Sequence, residues 1–422
     1  MKISSQNIAL KALLTTVLLI SSHSVLSGPA NLNQLVKIAV DNNPQLKVQK
    51  LEWQRLIHQY KQVTSLNDPT LVYSESLSPI ETRLGPQDRV LSFNQKLPYR
   101  GKLALKGEVV KKDIEMAKVK YDKASRDLTV SLKQAFFELV YLENAIKITT
   151  QNKRLLEQVN QVATADYASN VSALNDVAKA QSQYAQVAYD LTLLEELRST
   201  EKTRINTILN RAPEFSFEIN SQTRMPAAFK HEVASLYQWA ESNEEITLAD
   251  IAIQKSQVQS KLSDYASKPN FILGARYSQI GARDVPNLRD NGKDAFSINF
   301  GMSIPLNRGK NDAIKEQAKL QHLKQVENKK TIQNQLRNAV KSTYFKLNNA
   351  YRQTVLYKDN LIPQANRAAQ IAQLQYRENK GSIASYLETQ SAWLNFQLAY
   401  QRAVADYWSN LTQMEKLTGK KL

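Results

Sequence analysis

Apolar and polar positions change period in the same order twice along this chain. From 31 to 66 the apolar residues Leu32, Leu35, Ile38, Ala39, Leu46, Leu51, Trp53, Leu56 and Ile57 recur at helical spacing. Asn43-Pro44 interrupts them, and a proline biases its predecessor away from the helical region, so two helices with a break are predicted. Two alternating runs follow, over about 70–77 and 90–97, with a turn containing proline and glycine over 79–86 between them. Leu71, Tyr73 and Leu77 share one face of the first run, as Leu91 and Phe93 do in the second. Helical period then holds to Arg211 as an α-hairpin, with one arm from Leu103 to about Tyr167 and another from about Ala173 to Leu209. At about 1.5 Å per residue the first arm spans roughly 90 Å. No globular core is that long, so such an arm needs partner helices along its whole length.

After a proline-containing connection over 212–230 the series restarts. Leu236, Tyr237, Trp239, Ala240 and Ile246 echo the first helices and predict a helix over 232–266, and Lys268-Pro269 echoes Asp68-Pro69. A second strand pair is predicted at 270–280 and 295–304 around a polar loop, and a second α-hairpin at 311–418. In the last strand Phe296, Ile298, Phe300, Met302 and Ile304 alternate with Ser297, Asn299, Gly301 and Ser303. Each strand pair hands over to its hairpin through a similar element, Leu97-Pro98-Tyr99-Arg100-Gly101-Lys102 and Ile304-Pro305-Leu306-Asn307-Arg308-Gly309-Lys310. Pro98 and Pro305 suit a strand end because they have no N–H to give, and Gly101 and Gly309 supply backbone freedom for the turn into helix ahead of Lys102 and Lys310. The extra residue in the second copy predicts two seams of different geometry. The chain is thus an internal duplication, 28–230 and 231–422.

Composition narrows the function. Only 11 Gly and 12 Pro in 422 residues mean long elements, and a mean hydropathy of -0.45 excludes one large apolar core around them. The absence of cysteine excludes disulfides and cysteine-based metal sites. The formal charge of +17 is spread along helices beside acidic residues, without the clustered basic and aromatic pattern of a nucleic-acid groove, so no nucleic-acid partner is expected. Lys2 and Lys11, the apolar run 12–20, and Val25 and Ser27 ahead of Gly28 predict a secretory signal peptide over 1–27. No later apolar run is long enough for a transmembrane helix. His58, His231 and His322 are far apart and the methionines scattered, so no metal site and no cofactor are expected. Nothing has the spacing of a catalytic constellation, and the chain reads as no enzyme.

Strands that are apolar on one face and small or polar on the other fit a lipid-facing outside and a wet inside, as they also fit a half-solvated soluble sheet. Four strands cannot close on themselves, and open edges are costly in lipid. Closure then requires several chains contributing to one barrel.

On these residues the chain resembles the TolC family of outer-membrane efflux channels, most closely its heavy-metal resistance branch. The element at 97–102 is similar to that branch's Pro-aromatic-Pro-Gly-Lys motif. Residues 361–390, LIPQANRAAQIAQLQYRENKGSIASYLETQ, resemble the family's hairpin signature, with a counterpart at 167–181. The resemblance implies a mixed α/β, mostly α membrane protein: a homotrimer whose twelve-stranded barrel, four strands per chain, continues into an α-helical coiled-coil tunnel crossing the periplasm. Its partners would be outer-membrane lipid, a periplasmic adaptor and an inner-membrane pump of the RND type, and its location the outer membrane of a Gram-negative bacterium. It would be a passive conduit for heavy-metal cations. The same channel exporting organic compounds or peptides, and a periplasmic coiled-coil scaffold without a pore, stay open as alternatives.

The resemblance also implies roles for single residues. The hairpin tips, where an adaptor would touch, carry Asn170 and Ser172 in the first repeat and Asn379 and Gly381 in the second. Tyr376 matches a tyrosine that latches the closed periplasmic gate and Asp176 its acidic partner. The gate's arginine falls at Gly381, and its acidic ring at Ser385 and Glu388. Pro363 lies inside a helical arm, where it removes one helical hydrogen bond and predicts a kink absent from the first repeat.

Overall fold

The computed structural model describes residues 31–222 and 224–422; the expected signal segment lies outside them. The first repeat runs α1 (Leu32–Asn42), α2 (Pro44–Thr64), β1 (Thr70–Thr82), β2 (Gly85–Leu97), α3 (Lys102–Ala168) and α4 (Leu174–Ile208). The second runs α5 (Val233–Ala240), α6 (Glu244–Ser263), β3 (Phe271–Ile280), β4 (Ala295–Met302), α7 (Arg308–Leu356), α8 (Ile362–Arg377) and α9 (Ile383–Thr418). Among the described residues no helix is long and apolar enough to cross a membrane.

The four strands form one antiparallel sheet in the order β1-β2-β3-β4, leaving β1 and β4 as open edges. Register settles its two faces. Leu71, Phe93, Ala275 and Ile298 stand in one row, and Tyr73, Leu91, Tyr277 and Phe296 in another. Leu273 faces Phe300, and Phe271 faces Met302, on the same side. These large apolar side chains are exposed, Phe300 by 84%. The opposite face carries Asn94, Gly274 and Asn299 in one row and Ser92, Arg276 and Ser297 in the next. Strands alternate sides residue by residue, so the sheet is apolar on one face and polar on the other. Its apolar face charges are matched: Glu75 lies opposite Arg89 and bonds it at 3.3 Å.

The first hairpin is longer and its turn tighter than its prolines predict. β1 reaches Thr82 and β2 begins at Gly85, because the Thr82 hydroxyl donates to the Gly85 carbonyl at 2.6 Å and accepts from the Leu84 amide. Proline 79 falls where the β1–β2 register shifts, on an edge strand, and Pro86 pairs only at the ladder's end. Both are positions that need no ladder N–H. In the second hairpin β4 ends at Met302, two residues short of Ile304, because Ser303 turns to bond Asn270.

The helix predicted over 232–266 is in fact two, with a short 3-10 turn after them. Asn243 caps α6 through the Glu245 amide, and its side-chain amide donates to the carbonyls of Lys416 and Leu417 at 3.1 Å. Asn43 does the same in the first repeat, capping α2 through Leu46 and donating to the Ile208 carbonyl at 3.0 Å. Each buried asparagine therefore closes one helix start against the end of its repeat's last helix. Leu35, Leu132, Leu139, Ile205 and Leu209 form the core beside the first, and Leu236, Ile246, Val340 and Met414 the core beside the second.

Helices lie side by side in two tiers. Toward the sheet, α3 touches α2 and α6, and α6 touches α7; away from it, α3 touches α4 and α9, and α9 touches α8. α7 also bridges the tiers, touching both α6 and α9, but α3 runs the length of both, over 67 residues. Its counterpart in the second repeat is divided by a π-turn at Tyr357–Leu361, whose last bond runs from the Ile362 amide to the Tyr357 carbonyl. Pro363 follows at once, where its missing N–H is accommodated by the widened turn.

Candidate functional site: hairpin tips and strand-to-helix seams

At the first seam Gly101 holds φ 89, and a Cβ there would meet the Tyr265 hydroxyl at 2.8 Å. Only glycine combines that backbone with that approach. Tyr99 stacks on Phe271 and meets Tyr265 edge-on, while the Lys268 ammonium lies 5.8 Å from its ring centre. The Lys102 ammonium reaches the Asn270 side chain at 3.5 Å. The second seam is built differently. α7 already starts at Arg308, so Gly309 and Lys310 lie inside the helix; Asn307 caps it by accepting from the Lys310 amide at 3.0 Å. The extra residue supplies that cap, and Gly309 needs no special conformation.

The two hairpin tips repeat one another atom for atom in their backbone. Asn170 and Asn379 take φ 56 and 57, the left-handed region that asparagine tolerates best after glycine. Their amides donate to the carbonyls of Tyr167 and Tyr376, and the next two amides donate to those of Asp166 and Gln375. Ser172 and Gly381 occupy equivalent places. A Cβ at Gly381 would meet the Gln375 Cβ at 2.9 Å, whereas the Ser172 hydroxyl donates to the Ala163 carbonyl at 3.4 Å.

Beside the tips, a buried cluster joins the two hairpins: Leu156, Ala163, Val177 and Ala180 of the first against Ala372, Ile383, Tyr386 and Leu387 of the second. Tyr376 lies against it, stacked on Tyr386 with 16° between the rings. Its hydroxyl donates to the Asp166 carboxylate at 3.2 Å. This corrects the expected partner: the acceptor is Asp166 on α3, not Asp176 on α4. Asp176 sits half-buried in the first turn of α4 and acts on Tyr376 through its charge alone. Burial first, then the Asp166 charge and hydrogen bond, then Asp176, push the Tyr376 hydroxyl up to about 12. Asp166 had one sequence signal: it stands immediately before Tyr167, where the second repeat has Gln375 before Tyr376.

Ser385 and Glu388 are exposed one turn apart on α9, with Ser385 donating its amide to the Ser382 hydroxyl at the helix cap. Glu388 enters no ion pair among the described residues. Further from the tips, three polar links that the sequence did not reveal tie the hairpins together. Gln390 donates to Asn152 at 3.1 Å in a buried setting, and Gln183 to Ser391 at 3.0 Å. Arg402 grips Glu138 with both ends of its fork at 2.9 and 2.6 Å, reaches Asp406, and covers the Tyr141 ring at 4.1 Å. Among the described residues no group of three or more His, Asp or Glu could hold a metal ion.

A small sheet with open edges and unlike faces, continued by helical hairpins far longer than any core, defines the fold of the TolC-like outer-membrane channels. The chain matches the outer membrane efflux protein family over residues 35–211 and 235–420, and it belongs to that family. Among solved structures it is similar to the outer membrane protein VceC from Vibrio cholerae, at 17% identity and TM-score 0.75, over 92% of this chain and 96% of that one. CusC, described for its folding and transmembrane channel formation, is similar at 15% identity and TM-score 0.75, covering 92% of each chain. The Campylobacter jejuni CmeC outer membrane channel is similar at 16% identity and TM-score 0.74, over 93% of this chain and 86% of that one. No curated protein matches the chain.

Proposed function

We propose that this chain is the outer-membrane conduit of a tripartite export system, a homotrimer working with a periplasmic adaptor and an inner-membrane pump of the RND type. The observation that carries the reading is the sheet: four strands, apolar on one face and polar on the other, with both edge ladders unpaired. In lipid every backbone polar group needs a partner, so β1 of one copy must meet β4 of the next. The helical tiers end in the same way. On one flank α2 exposes Val48 and Leu51 and α4 exposes Tyr189, Leu193 and Leu197; on the other α7 exposes Leu320 and Leu323 and α8 exposes Ile371 and Leu374. Unlike flanks that pair head to tail close a ring, and three copies give twelve strands.

The barrel then lies in the outer membrane of a Gram-negative bacterium and the helices in the periplasm, with the adaptor at the tips around Asn170, Ser172, Asn379 and Gly381. Tyr376 and Asp166 latch the two hairpins at that end. The pump supplies the energy and the chain carries out no chemistry of its own. The similarity of the 97–102 element to the heavy-metal resistance branch supports metal as the exported cargo. Heat-modifiable trimers in the outer-membrane fraction with discrete single-channel conductance are expected; a soluble periplasmic monomer would refute the conduit. A deletion strain is expected to lose resistance to zinc, cadmium, cobalt or copper, and sensitivity to organic compounds alone would refute the metal cargo.

A further inference from the structure

We propose that the barrel is anion-selective, its lumen ringed by Lys96 and Arg276. The inference rests on the conduit reading, which turns the apolar face to lipid and the polar face to water. Register places Lys96 opposite Ile272, and Arg276 opposite Ser92 and Ser297, all on the polar face. Between the row of Asn94 and Gly274 and its neighbours on that face, the other paired positions are uncharged: Thr70, Val72, Ser74, Val90, Ser278, Ala295, Asn299 and Gly301. Asp88 stands beyond the register shift at the hairpin end, against Gly281.

The cations contrast with the charges on the other face. Glu75 and Arg89 neutralise one another, whereas Lys96 and Arg276 are exposed and enter no ion pair among the described residues. Small neighbours leave them standing in the open. Arg276 is flanked by two serines, and a Cβ on Gly301, in the Lys96 row, would meet nothing closer than Ile272 at 3.6 Å. Four residues of strand separate the two levels, about 13 Å at ~3.3 Å per residue. Closure of three copies stacks two rings of cations, each from three chains. Twelve strands about 4.8 Å apart and tilted by about 40° give a backbone radius on the order of 12 Å, so ring potentials fill the lumen when the Debye length reaches that scale. Rings of lysine and arginine favour anions. A bare divalent cation is then the disfavoured passenger of this barrel, and a metal leaves through it more readily as a complex with an anionic ligand.

The test is the reversal potential of the purified full-length protein in a planar bilayer under a KCl gradient kept at low ionic strength. The expected reversal potential is displaced toward the chloride value, and in Lys96→Glu/Arg276→Glu it changes sign. The preference collapses near 1 M KCl, where the Debye length falls to about 3 Å. Should the glutamate pair fail to assemble, Lys96→Met/Arg276→Gln reads the same contribution as a shift toward zero. A cation-selective or unselective wild type, or variants that leave the reversal potential unmoved, would overturn the proposal while leaving the conduit standing. Assembled protein without any conductance would overturn both.

Discussion

The Tyr376 hydroxyl donates to Asp166 across the gap between α8 and α3, so the tip of the second repeat's hairpin is tied to the 67-residue helix of the first. A hydrogen bond to a charged group contributes roughly 1.5–3 kcal/mol. Tyr376→Phe and Asp166→Asn should each loosen the tip by part of that and raise single-channel conductance in bilayers. Asp176→Asn should do so less, since that carboxylate accepts no bond from the tyrosine. Equal effects of the two aspartate variants would contradict the assignment.

The same tyrosine makes an alkaline prediction. Its hydroxyl is raised from the ordinary 10 to about 12 by burial and by Asp166. A group whose folded value is raised contributes stability that is complete below the unfolded value and lost as pH climbs through the folded one. The latch should therefore hold unchanged up to about pH 10 and weaken between 10 and 12. A difference spectrophotometric titration, wild type minus Tyr376→Phe, should show one phenol ionising near the upper end of that window.

Asn43 and Asn243 each cap one helix and donate to the end of another. Loss of a cap costs about 0.5–2 kcal/mol, and a buried carbonyl left unpaired adds about 1–3. Alanine at either site should lower the thermal midpoint markedly. Asn43→Ser and Asn243→Ser keep a cap acceptor without setting a buried charge against those carbonyls, so their losses should be smaller than alanine's.

The two seams should respond oppositely to one substitution. Gly101→Ala forces a side chain into a left-handed backbone and against Tyr265, at a cost of about 1–3 kcal/mol. Gly309→Ala enters a helix where its Cβ meets only the Asn307 Oδ1, at an ordinary 3.9 Å, and should be neutral or stabilising by about 0.5–1 kcal/mol. Heat-modifiability of the assembled protein compares the two directly.

Much of this arrangement was legible because it rests on period and punctuation. The break at Asn43-Pro44 was marked by proline, and the strand faces by strict alternation. The matching break before α6 carries no such mark, because Asn243 is followed by glutamate rather than proline; its one signal is an asparagine in register with Asn43. A family pattern pairs Tyr376 with a carboxylate by position alone, whereas which carboxylate turns toward the hydroxyl depends on helix rotation that spacing does not encode. The Arg402–Glu138 fork joins residues in different repeats, and nothing local in either segment announces it. Double-mutant cycles on that pair, both members of which are about one-third exposed, should give a coupling near 1 kcal/mol rather than the several of a fully buried pair.

The unbroken α3 has a consequence for the cell envelope. At about 1.5 Å per residue its 67 residues make a rod of roughly 100 Å, anchored at the Gly101 seam and ending at the Asn170 tip. If the chain is the proposed conduit, a rod without a joint works as a gauge: it sets the depth at which the conduit presents its mouth below the outer membrane. Any widening of the envelope must then be taken up by its partners. Removing two helical turns from α3 alone would throw its tip out of line with α8 and α9, so a shorter gauge requires matched deletions in all four arms.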